Sequence, residues 1–123
     1  MKRIYILVFV LLATGFTRGD ASVVNVQDAA KVNPKFITVK IDNPRVRVFE
    51  SILKPGDKEA MHSHPASIVY VIEGGKFRNH APDGTVNEVE LRSGDVQYRE
   101  ALTHWNENIG NTTSRLIVVE LKN

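Results

Sequence analysis

From Phe36 to the end, the chain repeats one theme: a short run rich in β-branched and aromatic side chains, then a turn. Phe36 to Ile41 (FITVKI) is followed by Asp42-Asn43-Pro44, a turn signal. Val46 to Leu53 alternates in part and stops at Lys54-Pro55-Gly56-Asp57, where proline and glycine dictate a bend. Ser67 to Ile72 (SIVYVI) is an apolar run ended by Gly74-Gly75. Lys76 to His80 leads into Pro82-Asp83-Gly84, a hairpin signal. Val86 to Leu91 sets Glu88 and Glu90 on one face and Val89 and Leu91 on the other. Ser93-Gly94-Asp95 turns into Val96 to Arg99, and Asn108 to Asn111 turns into Arg115 to Leu121 (RLIVVEL), the last strand.

Short strands between turns, with no convincing helix, predict an all-β sandwich or barrel. Residues 22–34 (SVVNVQDAAKVNP) read as an extended lead-in, since Ala29-Ala30-Lys31 is too short to support a helix. SIVYVI and LIVVEL are apolar on both faces, yet a two-sheet roll has one inner face. The outer face therefore calls for cover, either by the lead-in or by a second subunit, and a homodimer is the expectation.

The start of the chain has a different character. Lys2 and Arg3 precede an almost wholly apolar stretch from Ile4 to Phe16, and Gly19-Asp20-Ala21 places small residues where a signal peptidase reads. The stretch is short for a membrane-spanning helix. A secretory signal peptide over residues 1–21 is the expectation, against an uncleaved anchor or a first core element, and it implies a periplasmic or secreted protein with no membrane contact after cleavage. The full chain carries 16 basic and 14 acidic residues. Without residues 1–21 thirteen of each remain, so the excess positive charge belongs to the leader. No basic stripe or aromatic platform is visible, which argues against nucleic acid as a partner. The absence of cysteine rules out disulfides, cysteine zinc sites and thiol catalysis.

His62 and His64 form His-Ser-His after a glycine turn, and His104 lies forty positions later in Thr-His-Trp-Asn-Glu-Asn. Residues i and i+2 of a strand share a face, so an extended His62–His64 projects both rings into one space. A third imidazole from a paired strand would complete a facial set with open positions, which is what a catalytic metal needs.

These residues resemble the cupin motifs. Gly56 followed by five residues and His62-Ser63-His64 fits the opening of motif one, and Gly74 its closing glycine. Gly94-Asp95-Val96 through His104, with Asn108 four residues on, is similar to motif two, and the expected hairpin, Pro82-Asp83-Gly84, lies between. The resemblance covers about residues 35–121. It implies a single-domain cupin β-barrel (a double-stranded β-helix or jelly roll) over residues 35–123, after the leader and an extended segment 22–34. Ser67 stands where the family places a metal-ligating glutamate, the turn between His64 and Ser67 is shorter than usual, and Glu100 takes the usual proline position of motif two.

The resemblance further implies one divalent transition metal ion per chain (Fe, Mn, Cu, Ni or Zn), held by His62, His64 and His104, and a small-molecule ligand. Three-histidine cupins include oxygenases of small molecules, so a dioxygenase-like metalloenzyme is the first functional expectation. A binding or sensing module without turnover, and a metal-free roll acting through its dimer surface, are the alternatives. Ser67, a poor ligand, would bond water or substrate, and Tyr98 would line the pocket, although a buried aromatic with a bonded hydroxyl explains it equally well. Glu100 is the candidate general base, with a solvated loop residue as the simpler reading. Glu59 has the wrong parity to share a face with His62, Glu73 and His80 read as exposed, and Trp105 turns away from His104 to pack elsewhere. Asn108 holds the loop after His104. The elbow, phosphate-loop and dinucleotide motifs are absent.

Overall fold

The computed structural model describes residues 27–123. The leader and the start of the lead-in, residues 22–26, lie outside the described residues. Nine strands follow one helical turn: α1 (Ala29–Val32), β1 (Ile37–Asp42), β2 (Val46–Leu53), β3 (His62–His64), β4 (Ser67–Glu73), β5 (Gly75–His80), β6 (Val86–Leu91), β7 (Val96–Arg99), β8 (Leu102–Asn108) and β9 (Ser114–Leu121). They form a five-stranded sheet in the order β1-β2-β9-β4-β7 and a four-stranded sheet in the order β3-β8-β5-β6. All named strand pairs are antiparallel. Alternation decides what each sheet turns inward. β4 buries Ser67, Val69 and Val71 and exposes Ile68, Tyr70 and Ile72.

The core has two parts. Ala29, Ile37, Phe49, Val69 and Val118 form one, and Leu53, Val71, Phe77 and Leu91 the other, with Phe36 and Leu116 packed against both. The lead-in is not extended throughout. Asp28 accepts a bond from the Lys31 backbone N–H at 3.1 Å and caps the single turn α1. Ala29 is completely buried against the first core cluster. The described part of the lead-in therefore closes the inner side of the roll. The outer face of the five-stranded sheet stays uncovered by it, with Ile68, Tyr70, Ile72, Val96 and Tyr98 all exposed.

Two glycines fix the path of the chain past the histidines. Gly56 takes φ +85°, in the left-handed region that side-chain-bearing residues avoid, and its N–H bonds the Asn108 carbonyl at 2.9 Å. A Cβ on Gly74 would stand 2.1 Å from the Leu91 carbonyl oxygen, so only glycine lets the two backbones approach. Asn108 holds the other side. Its Nδ2 donates to the Leu53 and Thr112 carbonyls, both at 2.9 Å, and its Oδ1 accepts from the Gly110 N–H at 3.0 Å. Asn108→Ala strands these buried groups and is expected to lower stability by about 2–3 kcal/mol. Urea unfolding of the variant measures this, and an unchanged midpoint would contradict it.

Candidate metal centre

β3 pairs with β8 so that His62 stands opposite His104, and His64 shares the inward face of β3 with His62. The ring centroids lie 4.7 Å apart for His62 and His64, 4.8 Å for His62 and His104, and 5.3 Å for His64 and His104. One ligand nitrogen from each ring falls within 4.8 Å of the others. His62 and His104 are 1% and 3% exposed. The inward projection expected from strand parity is what the fold produces.

Each ring is held at Nδ1. The His62 Nδ1–H donates to the Ala60 carbonyl at 2.8 Å, and the Asn33 amide, which bonds both polar groups of the Ala60 backbone, lies 3.1 Å from the same nitrogen. The His64 Nδ1–H donates to Glu120 Oε1 at 2.8 Å. Glu120 is in turn clamped by Arg47, whose guanidinium also reaches Asp28. His104 Nδ1 meets the Asn79 amide at 2.7 Å. That amide can offer a donor or, after a half-turn, an acceptor. In the described orientation Nδ2 also donates to Asn106 Oδ1, so the acceptor orientation, which places the ring hydrogen on Nδ1 and frees Nε2, requires the Asn79 and Asn106 amides to turn together. Orientation of ligand imidazoles by carboxylates and carbonyls at the far nitrogen is the usual support of a metal site.

The Nε2 side fits an ion. His104 Nε2 is buried and has no hydrogen-bond partner. Burial lowers the His62 pKa to about 4, with the charge of His64 adding to the effect. Burial lowers that of His104 to about 2, helped by His62, His64 and Arg99. Both rings are thus neutral at pH 7 and keep a lone pair for coordination. Three inward imidazoles, one with an orphaned nitrogen, can hold a divalent transition ion and leave open positions.

A carboxylate does stand beside the cluster, but it comes from Glu59. Its side chain is 5% exposed, and its Oε2 lies 3.9 Å from His62 Nε2. The backbone N–H and Nδ2 of Asn106 donate to that oxygen at 3.1 and 2.9 Å, and Asn79 continues the chain from Asn106 Oδ1 to His104. Burial raises the Glu59 pKa, against the opposing pull of Asn106, His64 and Arg99. The parity argument against Glu59 fails because residues 54–61 are not a continuous strand. Glu59 instead donates its backbone N–H to the Asn106 carbonyl at 3.0 Å, which lays the segment along β8.

A cavity of about 430 Å³ opens beside the cluster, lined by Glu59, His104, Asn79, Asn106, Gln97 and Arg99 among apolar residues. Tyr98 does not line it. β7 turns Gln97 and Arg99 inward, so alternation puts Tyr98 outside at 60% exposure. Glu100 is exposed between β7 and β8 and does not reach the cavity. Ser67 is buried on the inner face of β4, in register with Glu120 and Arg99, yet it too stays off the cavity wall. His80 is not an exposed hairpin residue. It stacks on Trp105, centroids 3.6 Å apart and planes within 3°, on the outer side of the four-stranded sheet. Glu120 had a signal in the sequence, a single charge inside the apolar run 116–121, whereas Arg99 had none, because the apolar residues of β7, Val96 and Tyr98, are the ones that face out.

No protein-family model and no curated protein matches the chain. Solved structures do. A cupin domain from Bordetella pertussis is 29% identical and matches 71% of this chain and 92% of its own, with a TM-score of 0.65. An uncharacterized conserved protein with a double-stranded β-helix domain from Klebsiella pneumoniae is 25% identical over 71% of this chain and 76% of its own, with a TM-score of 0.56. A predicted oxalate decarboxylase from Thermotoga maritima shares the fold at 22% identity, over 71% and 79% of the two chains, with a TM-score of 0.53.

Proposed function

We propose that this chain, a double-stranded β-helix of the cupin type, is an exported metalloprotein that holds one divalent transition ion and acts on a small molecule in a dioxygenase-like reaction. The observation that carries the metal reading is the buried, partnerless Nε2 of His104, packed against two further imidazoles whose Nδ1 atoms are already engaged. Without an ion such a cluster only costs stability, because three desolvated imidazoles face one another and a buried polar atom goes unpaired. The ion, among Fe, Mn, Cu, Ni and Zn, would bind at the three Nε2 atoms and supply a Lewis-acidic centre with open positions.

The chain's own residues do the rest. Glu59 is positioned to take or give a proton at Oε2, with Asn106 fixing its carboxyl and burial making proton retention easier. The apolar cavity wall restricts water around the bound molecule. Untagged protein, purified from cells supplied with all five metals, should carry close to one of them per chain. Protein isolated metal-free that then takes up none of them at equimolar concentration would end the metal reading.

Export rests on the charged start and apolar run of residues 2–16. N-terminal sequencing of the secreted or periplasmic protein should begin at Ser22; a chain retained in the cytoplasm and beginning at Met1 counts against it. The exposed apolar face formed by Ile68, Tyr70, Ile72, Val96 and Tyr98 supports a homodimer joined through the five-stranded sheet. Light scattering should give twice the mass of one chain, and Tyr98→Glu should return it to one.

A further inference from the structure

The cavity beside the imidazoles contains a cation that nothing in the described residues neutralises by contact. Arg99 lines it together with Glu59 and His104. Its Nε and Nη2 donate to Gln97 Oε1 at 3.2 and 2.9 Å, which fixes the plane of the guanidinium. Among the described residues no carboxylate lies within ion-pair distance of it, whereas Arg47 is gripped by Asp28 and Glu120. The nearby Glu59 carboxyl is bound by Asn106 instead. A guanidinium has five N–H donors, so three remain without a described protein acceptor.

Arg99 is half-buried, keeps its charge, and leaves donors open toward the cavity. Partial burial pulls the Arg99 pKa below its ordinary value, with the charge of Glu59 opposing the shift. The fork of a guanidinium matches the two oxygens of a carboxylate. The rest of the wall is mostly hydrocarbon, including Leu53, Phe77, Leu91 and Leu116. Among the described residues no lysine and no second arginine lines the cavity, so a second carboxylate on the same ligand would find no second cationic side chain there. The volume of about 430 Å³ is in the range of small-ligand sites.

We propose that this cavity binds a small monocarboxylic acid, its carboxylate forked by Arg99 and its apolar body lying against the leucine and phenylalanine wall, beside His104 and Glu59. Gln97 is the positioning residue that presents the fork. Only the step from ligand to substrate rests on the metal reading; binding of the acid does not need the ion.

The test compares hexanoate with hexanamide, which matches it in shape and lacks the charge, by calorimetric titration of the purified protein in metal-free and zinc-loaded forms. The metal-free protein should bind hexanoate at least tenfold more tightly than hexanamide. Arg99→Gln should remove that preference while leaving zinc stoichiometry unchanged. Arg99→Lys, which keeps the charge and loses the fork, should retain part of it, and it guards against loss of fold in the glutamine variant. Equal binding of the two probes by the native protein overturns the proposal. So does a preference for hexanoate that survives Arg99→Gln, or one confined to the zinc-loaded form, which would place the carboxylate on the ion. A hexanoate preference in a protein that takes up no zinc upholds the carboxylate site and removes the metal reading alone.

Discussion

His104→Ala is expected to abolish ion binding, with the metal content falling from about one per chain to near zero. The reason lies in the shared geometry. His104 is the one ligand candidate delivered by β8, and its Nε2 faces the two rings of β3 with no competing partner. Two imidazoles left behind make a poor chelate. The loss should exceed the roughly 10–100-fold effect expected of a change behind the ligands, such as Glu120→Gln at the Nδ1 of His64. His104→Leu separates ion binding from packing. It fills similar space, removes the orphaned nitrogen, and should leave the metal-free protein at least as stable as the native one while also losing the ion. Competition titration with a chromophoric chelator reads the affinities. A native-like affinity in either variant would show that His104 is no ligand.

Acidification from pH 7 to pH 5 is expected to destabilise the metal-free protein by several kcal/mol. The folded-state pKa values of His62 and His104, about 4 and about 2, lie below the value near 6.5 of an unfolded chain. Below pH 6.5 the unfolded state takes up protons that the folded state refuses, so stability present above pH 6.5 is lost as pH falls. The loss runs down to about pH 4 for His62 and to about pH 2 for His104. At about 1.4 kcal/mol per group and pH unit, the two rings together cost about 4 kcal/mol at pH 5. Glu59 works the other way. Its pKa is raised by burial, so its contribution is fully present below the ordinary carboxylate pKa and is lost as pH rises, and acidification restores part of the loss. Urea unfolding with chelator present, repeated in His62→Gln and His104→Gln, measures this. A flat stability between pH 7 and pH 5 would sink it. A slope unchanged in both variants would assign it to other groups.

The strands were legible wherever an apolar face met a turn signal. Val46–Leu53, Val86–Leu91 and Val96–Arg99 form as the pattern has them, Ile37–Asp42 is shifted by one residue at both ends, and Ser114–Leu121 starts one residue earlier. β8 was not delimited in this way because its inward residues, Leu102, His104, Asn106 and Asn108, are mostly polar. Polar residues on an inner face break the alternation that marks a strand, and here they do so because they border the cavity and the imidazoles. The same effect hid the supporting residues. Glu59 required knowing that residues 54–61 leave the strand, and Asn33 that a one-turn helix brings the lead-in back to Ala60.

The sequence by itself determined the all-β roll and the shared face of His62 and His64, because strand parity is local and the spacing of turns sets which strands exist; His104 was joined to them by the resemblance to the cupin motifs, and the pairing of β3 with β8 brings it there. Only the tertiary structure decided which carboxylate stands beside the imidazoles, that Tyr98 and Glu100 face away, and that Arg99 enters the cavity. Those facts depend on the register between segments distant in the chain. A slip of one residue reverses every face, and no local pattern encodes it.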